Sequence, residues 1–247
     1  MERPRRALAL PELFLGLLAI GVAVVLTAHV IAGTIRDRQR VHDTLSVTGS
    51  ARKPISANLV RWSLTVSDTA PNAPRAARRL RREVVDVRTF LRQAGVPAGA
   101  ITPAVVTSET LVTQLPHHRR LTRFRVAQRL EVRTHQIDAI EPVATRIGEL
   151  LERGIDVSAE PLRYLSTELT QAKLDALASA TDDARRRAEI LVKGLGGKLG
   201  PMRSSSLGVY QVTPRDSTDV SDYGINDTTS REKDVTAVVT ATFAVKR

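Results

Sequence analysis

The run Lys193-Gly194-Leu195-Gly196-Gly197-Lys198-Leu199-Gly200 has the composition of a phosphate cradle, because glycine-rich turns can aim several backbone N–H groups at one anion. Its spacing does not fit that chemistry. A Walker-type loop places Gly six residues before its Lys and Ser or Thr directly after it, and here those places hold Val192 and Leu199. The glycines also follow a helical pattern instead of preceding one, so they read as a helix terminator. Histidines stand at 29, 42, 117, 118 and 135, with no i, i+4 pair on which a helical zinc site could be built. Cysteine is absent, which removes thiol nucleophiles, Cys-ligated zinc and disulfides. No Gly-x-Ser-x-Gly elbow, paired catalytic carboxylates or dinucleotide fingerprint appears. The sequence therefore nominates no catalytic, cofactor-binding or metal-ligating residue and identifies no small-molecule substrate, and the expectation is a non-enzymatic protein.

Arginine is the chemistry that remains. Lys and Arg total 37 against 26 Asp and Glu, a formal net charge of +11, and 31 of the 37 bases are Arg. A planar guanidinium pairs bidentately with phosphate or carboxylate, so clustered Arg points to an anionic partner. Residues 71–100 hold 7 Arg and 2 acids, and residues 117–133 hold 6 Arg and 1 acid. Arg78, Arg82, Arg119, Arg120, Arg123, Arg125, Arg129 and Arg133 are expected to form a basic face toward anionic lipid headgroups, an envelope polymer or an acidic patch of a neighbouring subunit. Aromatic residues make up 3% of the chain, too few to stack single-stranded bases, and nucleic acid is not an expected partner. A basic binding module for anionic lipid, polymer or nucleic acid stands as the alternative reading.

The elements that must position these residues are legible from periodicity. Residues 41–70 alternate as strands with a break at Pro54: Leu45, Val47 and Gly49, then Val60, Trp62, Leu64 and Val66. After Pro71-Asn72-Ala73-Pro74, the spacing of Ala73, Ala77, Leu80, Val84, Val87 and Leu91 predicts a helix ended by Gly95. A strand pair follows, 105–113 and 122–134, joined by the turn Pro116-His117-His118-Arg119-Arg120. Its second strand sets Phe124, Val126, Gln128, Leu130 and Val132 opposite Arg123, Arg125, Arg129 and Arg133. A helix over 137–151, a short strand at 164–169 and a helix over 171–195 come next. The last helix is expected to face inward with Leu174, Leu177, Ala178, Thr181, Ala184, Ala188 and Leu191. A strand at 204–212, a polar loop at 213–233 expected to be mobile, and a final alternating strand from Val235 to Val245 complete the chain. Strand pairs interrupted by about three helices give an α+β domain over 44–247.

Upstream, Leu13 to Ile35 is 23 residues without formal charge, 13 of them Leu, Ile, Val or Phe. At about 1.5 Å per residue such a helix crosses a hydrocarbon core of about 30 Å, and its length exceeds the usual apolar core of a cleaved signal peptide. It reads as a transmembrane anchor at 13–35, with a cytoplasmic tail at 1–12, a linker at 36–43 and the domain outside. Ala19, Ala23 and Thr27 recur every fourth position, a stripe of the kind that lets membrane helices approach closely.

Several separated stretches carry a family likeness: Val47-Thr48-Gly49-Ser50-Ala51; Leu91-Arg92-Gln93-Ala94-Gly95-Val96 through Ile101; Tyr164-Leu165-Ser166-Thr167-Glu168-Leu169; Ala180-Thr181-Asp182-Asp183-Ala184-Arg185 with Ala188-Glu189; Gly197-Lys198-Leu199-Gly200; and Ser206-Leu207-Gly208-Val209-Tyr210. In order and spacing the chain resembles the SIMPL-domain family, whose bacterial members are extracytoplasmic. The resemblance implies an α+β fold, an N-terminal signal or anchor, homo-oligomers that are ring-like or channel-like in some members, no established catalytic residues and no cofactor. A role in oxidative stress is linked to some members. This chain departs from the family at Pro54-Ile55-Ser56, where members often carry Pro-Asp, and in its longer polar loop. The combined expectation is a membrane-anchored, homo-oligomeric envelope scaffold or stress-related protein.

Overall fold

The computed structural model describes residues 43–116 and 119–246, and further upstream Gly21, Val24 and Thr27. In chain order the elements are β1 (Thr44–Ser56), β2 (Leu59–Ala70), α1 (Ala73–Gln93), β3 (Ile101–Gln114), β4 (Arg120–Thr134), α2 (Ile137–Thr145), α3 (Gly148–Glu152), β5 (Asp156–Ala159), β6 (Arg163–Leu165), α4 (Leu169–Gly194), β7 (Lys198–Leu207), β8 (Gln211–Pro214), β9 (Ile225–Asn226) and β10 (Glu232–Lys246). The fold is α+β with two five-stranded sheets. One runs β3-β4-β2-β5 with β6 also on β2, and the other runs β1-β10-β8-β9 with β7 also on β10. Two compact units result. Of the described residues, the larger comprises those of 50–180 and 207–238, and the smaller those of 43–49, 181–206 and 239–246.

In the larger unit the period-two pattern does what it predicts. Leu64 pairs with Leu130 and Trp62 with Val132 in an antiparallel register, so the even-numbered apolar side chains of β2 and β4 share one face. α1 covers that face. Asn72 caps the helix by accepting the Arg75 N–H at 3.0 Å, Pro74 fits its first turn, and Gly95 ends it at φ +94°. Its buried residues are Ala76, Leu80, Val84, Val87, Phe90 and Leu91, which join Val60, Trp62, Leu64, Val66, Val126, Leu130 and Val132 in one core. Ala73 and Ala77 lie half-buried at the margin, and Ala76 takes the buried position that leads into Leu80 and Val84. Each fully buried aliphatic side chain contributes about 1.5–3 kcal/mol to this core. The predicted helix over 137–151 is broken: the Arg146 N–H bonds to Val143 O, a tight turn that ends α2, and the chain restarts at Gly148.

Pro54 does not break β1, because β1 is an edge strand and needs no N–H donor on its open side. The predicted strand at 204–212 is two strands, β7 and β8, and β5 was not predicted at all.

In the smaller unit Ala184 and Ala188 of α4 pack against Val47, Ala241 and Phe243. The inward stripe of α4 differs from the sequence expectation. Ala172, Ala176, Ala180, Ala184, Ala188 and Val192 are buried at a strict spacing of four, whereas Leu174, Ala178 and Leu191 are exposed and Leu177 and Thr181 half-buried. Small side chains along an i, i+4 ridge let a helix lie close on its neighbours, and leucines there would hold it away. Close approach recurs at Gly197 and Gly200, where an added Cβ would stand 3.0 Å from Lys246 O and 2.9 Å from Ala244 O. The glycine run thus ends α4, as its order implied, and also seats β7 on β10.

Among the described residues no helix is long and apolar enough to cross a membrane. The 13–35 segment lies outside the described residues except for Gly21, Val24 and Thr27, and of the small-residue stripe only Thr27 is described, as an exposed helical residue. His117 and His118 also lie outside them.

Candidate functional site: a basic cleft and a braced acidic loop

The outer side of α1 opens onto a cavity of about 510 Å³ in the larger unit. Arg79, Arg82 and Phe90 from α1 and Arg153 from the turn after α3 line it, with Glu83 and Asp86 in its wall. Phe90 is buried at the helix edge, and the guanidinium carbons of Arg146 and Arg153 lie 5.7 and 5.9 Å from its ring centroid, within cation–π range. Glu149 orders both, with its carboxylate 2.7 Å from Arg146 Nε and 3.8 Å from Arg153 Nη2.

Behind the cavity wall two carboxyls share one field. Asp68, at the end of β2, is 7% exposed and lies 3.6 Å from Arg79 Nε through Oδ1. Asp68 Oδ2 and Glu83 Oε2 are both buried without a hydrogen-bond partner among the described residues. Burial raises the Glu83 carboxyl above its ordinary value, the negative charges of Asp68 and Asp156 raise it further, and Arg79 and Arg82 oppose them. The arrangement holds a proton on Glu83 to higher pH than usual, next to a carboxylate already committed to Arg79. No group of three or more His, Cys, Asp or Glu among the described residues is placed to hold a metal ion.

A second cavity, about 620 Å³, is lined by Trp62, Glu141, Ile147, Pro161, Leu162 and Tyr164. Trp62 donates its indole N–H to Glu160 O at 2.9 Å, and the Tyr164 hydroxyl donates to Glu141 Oε1 at 2.8 Å. Burial and that carboxylate push the Tyr164 phenol up to about 12, so it stays a donor.

The polar stretch expected to be a mobile loop is tied down at several points. Lys233 is buried, with its ammonium 2.7 Å from Asp227 O and 3.2 Å from Asp227 Oδ2. Burial alone would raise the Asp227 carboxyl, but hydrogen bonds from the Thr229 hydroxyl and N–H, from Ser230 and from Lys233 outweigh it and hold the group at about 2. For Lys233 the balance runs the other way, burial lowering its ammonium more than Asp227 raises it. Buried Asp234 lies 3.6 Å from Arg52 and 3.9 Å from Arg215, and accepts the Asp216 N–H at 3.1 Å. Gln211 donates to Ser221 O at 2.7 Å, β9 pairs in parallel with β8, and Gly224 at φ +81° passes Tyr210 O where a Cβ would stand 2.8 Å away. This bracing presents Val220 and Tyr223 to solvent at 81% and 97% exposure, beside Asp219 and Asp222.

The eight predicted arginines do not form one face. The even side of β4 lies in the core beneath α1, so Arg123, Arg125, Arg129 and Arg133 project from the opposite side of the sheet from Arg78 and Arg82. On that far side acids are interleaved: Arg61 with Glu131 at 3.8 Å, Arg129 with Glu160 at 3.5 Å, and Arg125 on Ser67 Oγ at 3.1 Å, which in turn donates to Asp156. Arg119 and Arg120 sit at the hairpin end, where the Leu115 N–H bonds to Arg119 O. Arg82 alone of the eight lines the cleft. Sequence reasoning missed Arg153, Phe90 and the Lys233–Asp227 pair. Asp227-Thr228-Thr229-Ser230 carries an Asx-turn signature that could have shown the loop to be ordered.

A family model described as SIMPL, protein of unknown function (DUF541), matches residues 45–243. No curated protein matches the chain. Among solved structures, "The crystal structure of a putative aminohydrolase from methicillin resistant Staphylococcus aureus" is similar at 17% identity over 56% of this chain, with a TM-score of 0.24. The match spans 39% of that protein's length, and a TM-score of that size does not describe a shared fold.

Proposed function

The chain belongs to the SIMPL family, and on that premise we propose that it is a membrane-anchored extracytoplasmic protein that self-assembles and serves as an envelope scaffold, in a structural and not a catalytic role. The observation that carries self-assembly is β3. It stands at the end of its sheet, is exposed at every position except Ile101 and Leu111, and has one charge, Glu109, in 14 residues. Val105 is 85% exposed, with Val106 and Val112 also open. An edge strand normally carries lysines, or is short or covered, because its free N–H and C=O groups template pairing with another chain. In a protein with 26% charged residues, a long and nearly uncharged edge supports strand pairing with a second copy. The anchor reading rests on the uncharged 13–35 stretch, which would gather such copies on one membrane.

The test is sedimentation velocity of the full chain extracted in detergent, at micromolar concentration. Multimers are expected, and Thr110→Lys with Val112→Lys should shift them toward smaller species. A monomeric wild-type chain rejects the proposal. For topology, a C-terminal reporter active only outside the cytoplasm should be active, and an inactive one reverses the orientation.

A further inference from the structure

The tip of the braced loop is acidic and the rim of the α1 cleft is rich in arginine. The loop tip offers Asp219 and Asp222 with two nearly fully exposed apolar side chains, Val220 and Tyr223. The cleft offers Arg79, Arg82 and Arg153 around the ring of Phe90. We propose that the Asp219–Tyr223 tip of one copy docks into the Arg79–Arg82–Arg153 cleft of a second copy, with Tyr223 entering the cavity beside Phe90 and the two aspartates meeting the guanidiniums.

Three observations carry this. First, Tyr223 is held out by the bracing itself: its N–H bonds to Ser221 Oγ, Gln211 grips Ser221 O, and Gly224 makes the left-handed turn that follows. A side chain pre-organised this way loses little entropy on docking, and tyrosine buries about 150–250 Å² with only two torsions to fix. Second, a cavity of about 510 Å³ with an aromatic floor suits one aromatic ring and its flanking groups. Third, although Arg79 lies 3.6 Å from Asp68 and Arg153 lies 3.8 Å from Glu149, Arg82 in the cleft and the exposed Arg78 and Arg81 beside it on α1 have no acid at ion-pair distance among the described residues, so this edge of the cleft attracts an acidic segment. Tip and cleft are different surfaces of one chain. Such a contact either closes as a two-fold pair, each copy placing its tip in the other's cleft, or runs head-to-tail into a ring or filament.

The inference rests on the self-assembly reading, and the experiment separates the two. Sedimentation velocity would compare the full chain in detergent with Asp219→Lys/Asp222→Lys, with Arg82→Glu/Arg153→Glu and with Tyr223→Ser. Each should weaken association at least tenfold. All the changed side chains lie at solvent-facing positions or the cavity rim, and circular dichroism checks the fold. Mixing the two charge-reversed variants should restore association, because the reversed tip then meets the reversed cleft and the wild-type tip the wild-type cleft. Unchanged association in the variants, or loss that mixing does not restore, overturns the inference. So does binding of wild type to phosphatidylglycerol vesicles that Arg82→Glu/Arg153→Glu abolishes while assembly persists, which would give the cleft to lipid. A wild type that assembles and is broken only by the β3 lysines removes this contact and keeps self-assembly, whereas a monomeric wild type removes both.

Discussion

Charges gather in two places in the larger unit, and they are treated in opposite ways. At the base of the polar loop Lys233 and Asp234 are buried and the Asp227 side chain is shielded to 7% exposure, and each meets a counter-charge or several hydrogen bonds. On α1 the exposed residues Arg75, Arg78, Arg81 and Arg82 face solvent, while among the described residues Arg79 alone of the helix's arginines has an acid at ion-pair distance, Asp68. Burial makes the first group obligatory for the structure, since an unpartnered charge in a low dielectric is costly. Exposure leaves the second group nearly free of structural duty and open to a partner. Charge density alone does not tell these apart.

The largest effect expected from this contrast is at Lys233. Lys233→Met leaves the shielded Asp227 carboxylate without its counter-charge, though with its Thr229 and Ser230 donors, and should cost about 3–5 kcal/mol in urea unfolding. Adding Asp227→Asn should recover a good part of that, and a single-variant loss below about 1 kcal/mol would mean the pair is not structural. Gly224→Ala comes next, at about 1–3 kcal/mol, because the left-handed backbone and the nearby Tyr210 O both resist a Cβ. Its circular dichroism melt should shift down, and proteolysis of the loop should rise. The acid response is a third measure. Asp227 is held at about 2 against an ordinary 3.8, so its contribution is complete above 3.8 and is lost as the pH falls toward 2. A thermal unfolding series over that window should fall more steeply for wild type than for Asp227→Asn. The smallest stability effect belongs to α1: Arg78→Ser with Arg82→Ser should change unfolding by less than about 0.5 kcal/mol. A large loss there would show that the basic face is structural after all, and erase the contrast.

Much of the fold was legible because its signals are local. Val60, Trp62, Leu64 and Val66 alternate, Asn72 and Pro74 open α1, and Gly95 closes it, and each of these acts within a few residues of itself. The α4 stripe was misread because leucine outranks alanine on hydrophobicity, whereas the ridge was chosen for closeness of approach. The loop was misread because Asp and Ser in sequence look solvated, and the buried Lys233 that orders Asp227 sits six residues away on β10. The candidate site was half legible: Arg82 was named, but Phe90 on the same helix lies outside the predicted apolar stripe, and Arg153 comes to the site from the turn after α3.

By itself the sequence determined most of the strands and helices, the two ends of α1 and the charge excess they carry, because periodicity, caps and composition are properties of short stretches. Only the tertiary structure decided which arginines share a surface, which carboxylates are buried and which side of α4 turns inward. Those outcomes depend on what is packed against an element, and an element's own period is indifferent to its neighbour. The same arginine is a surface charge over water, an ion-pair partner over Asp68 and a cleft wall beside Phe90.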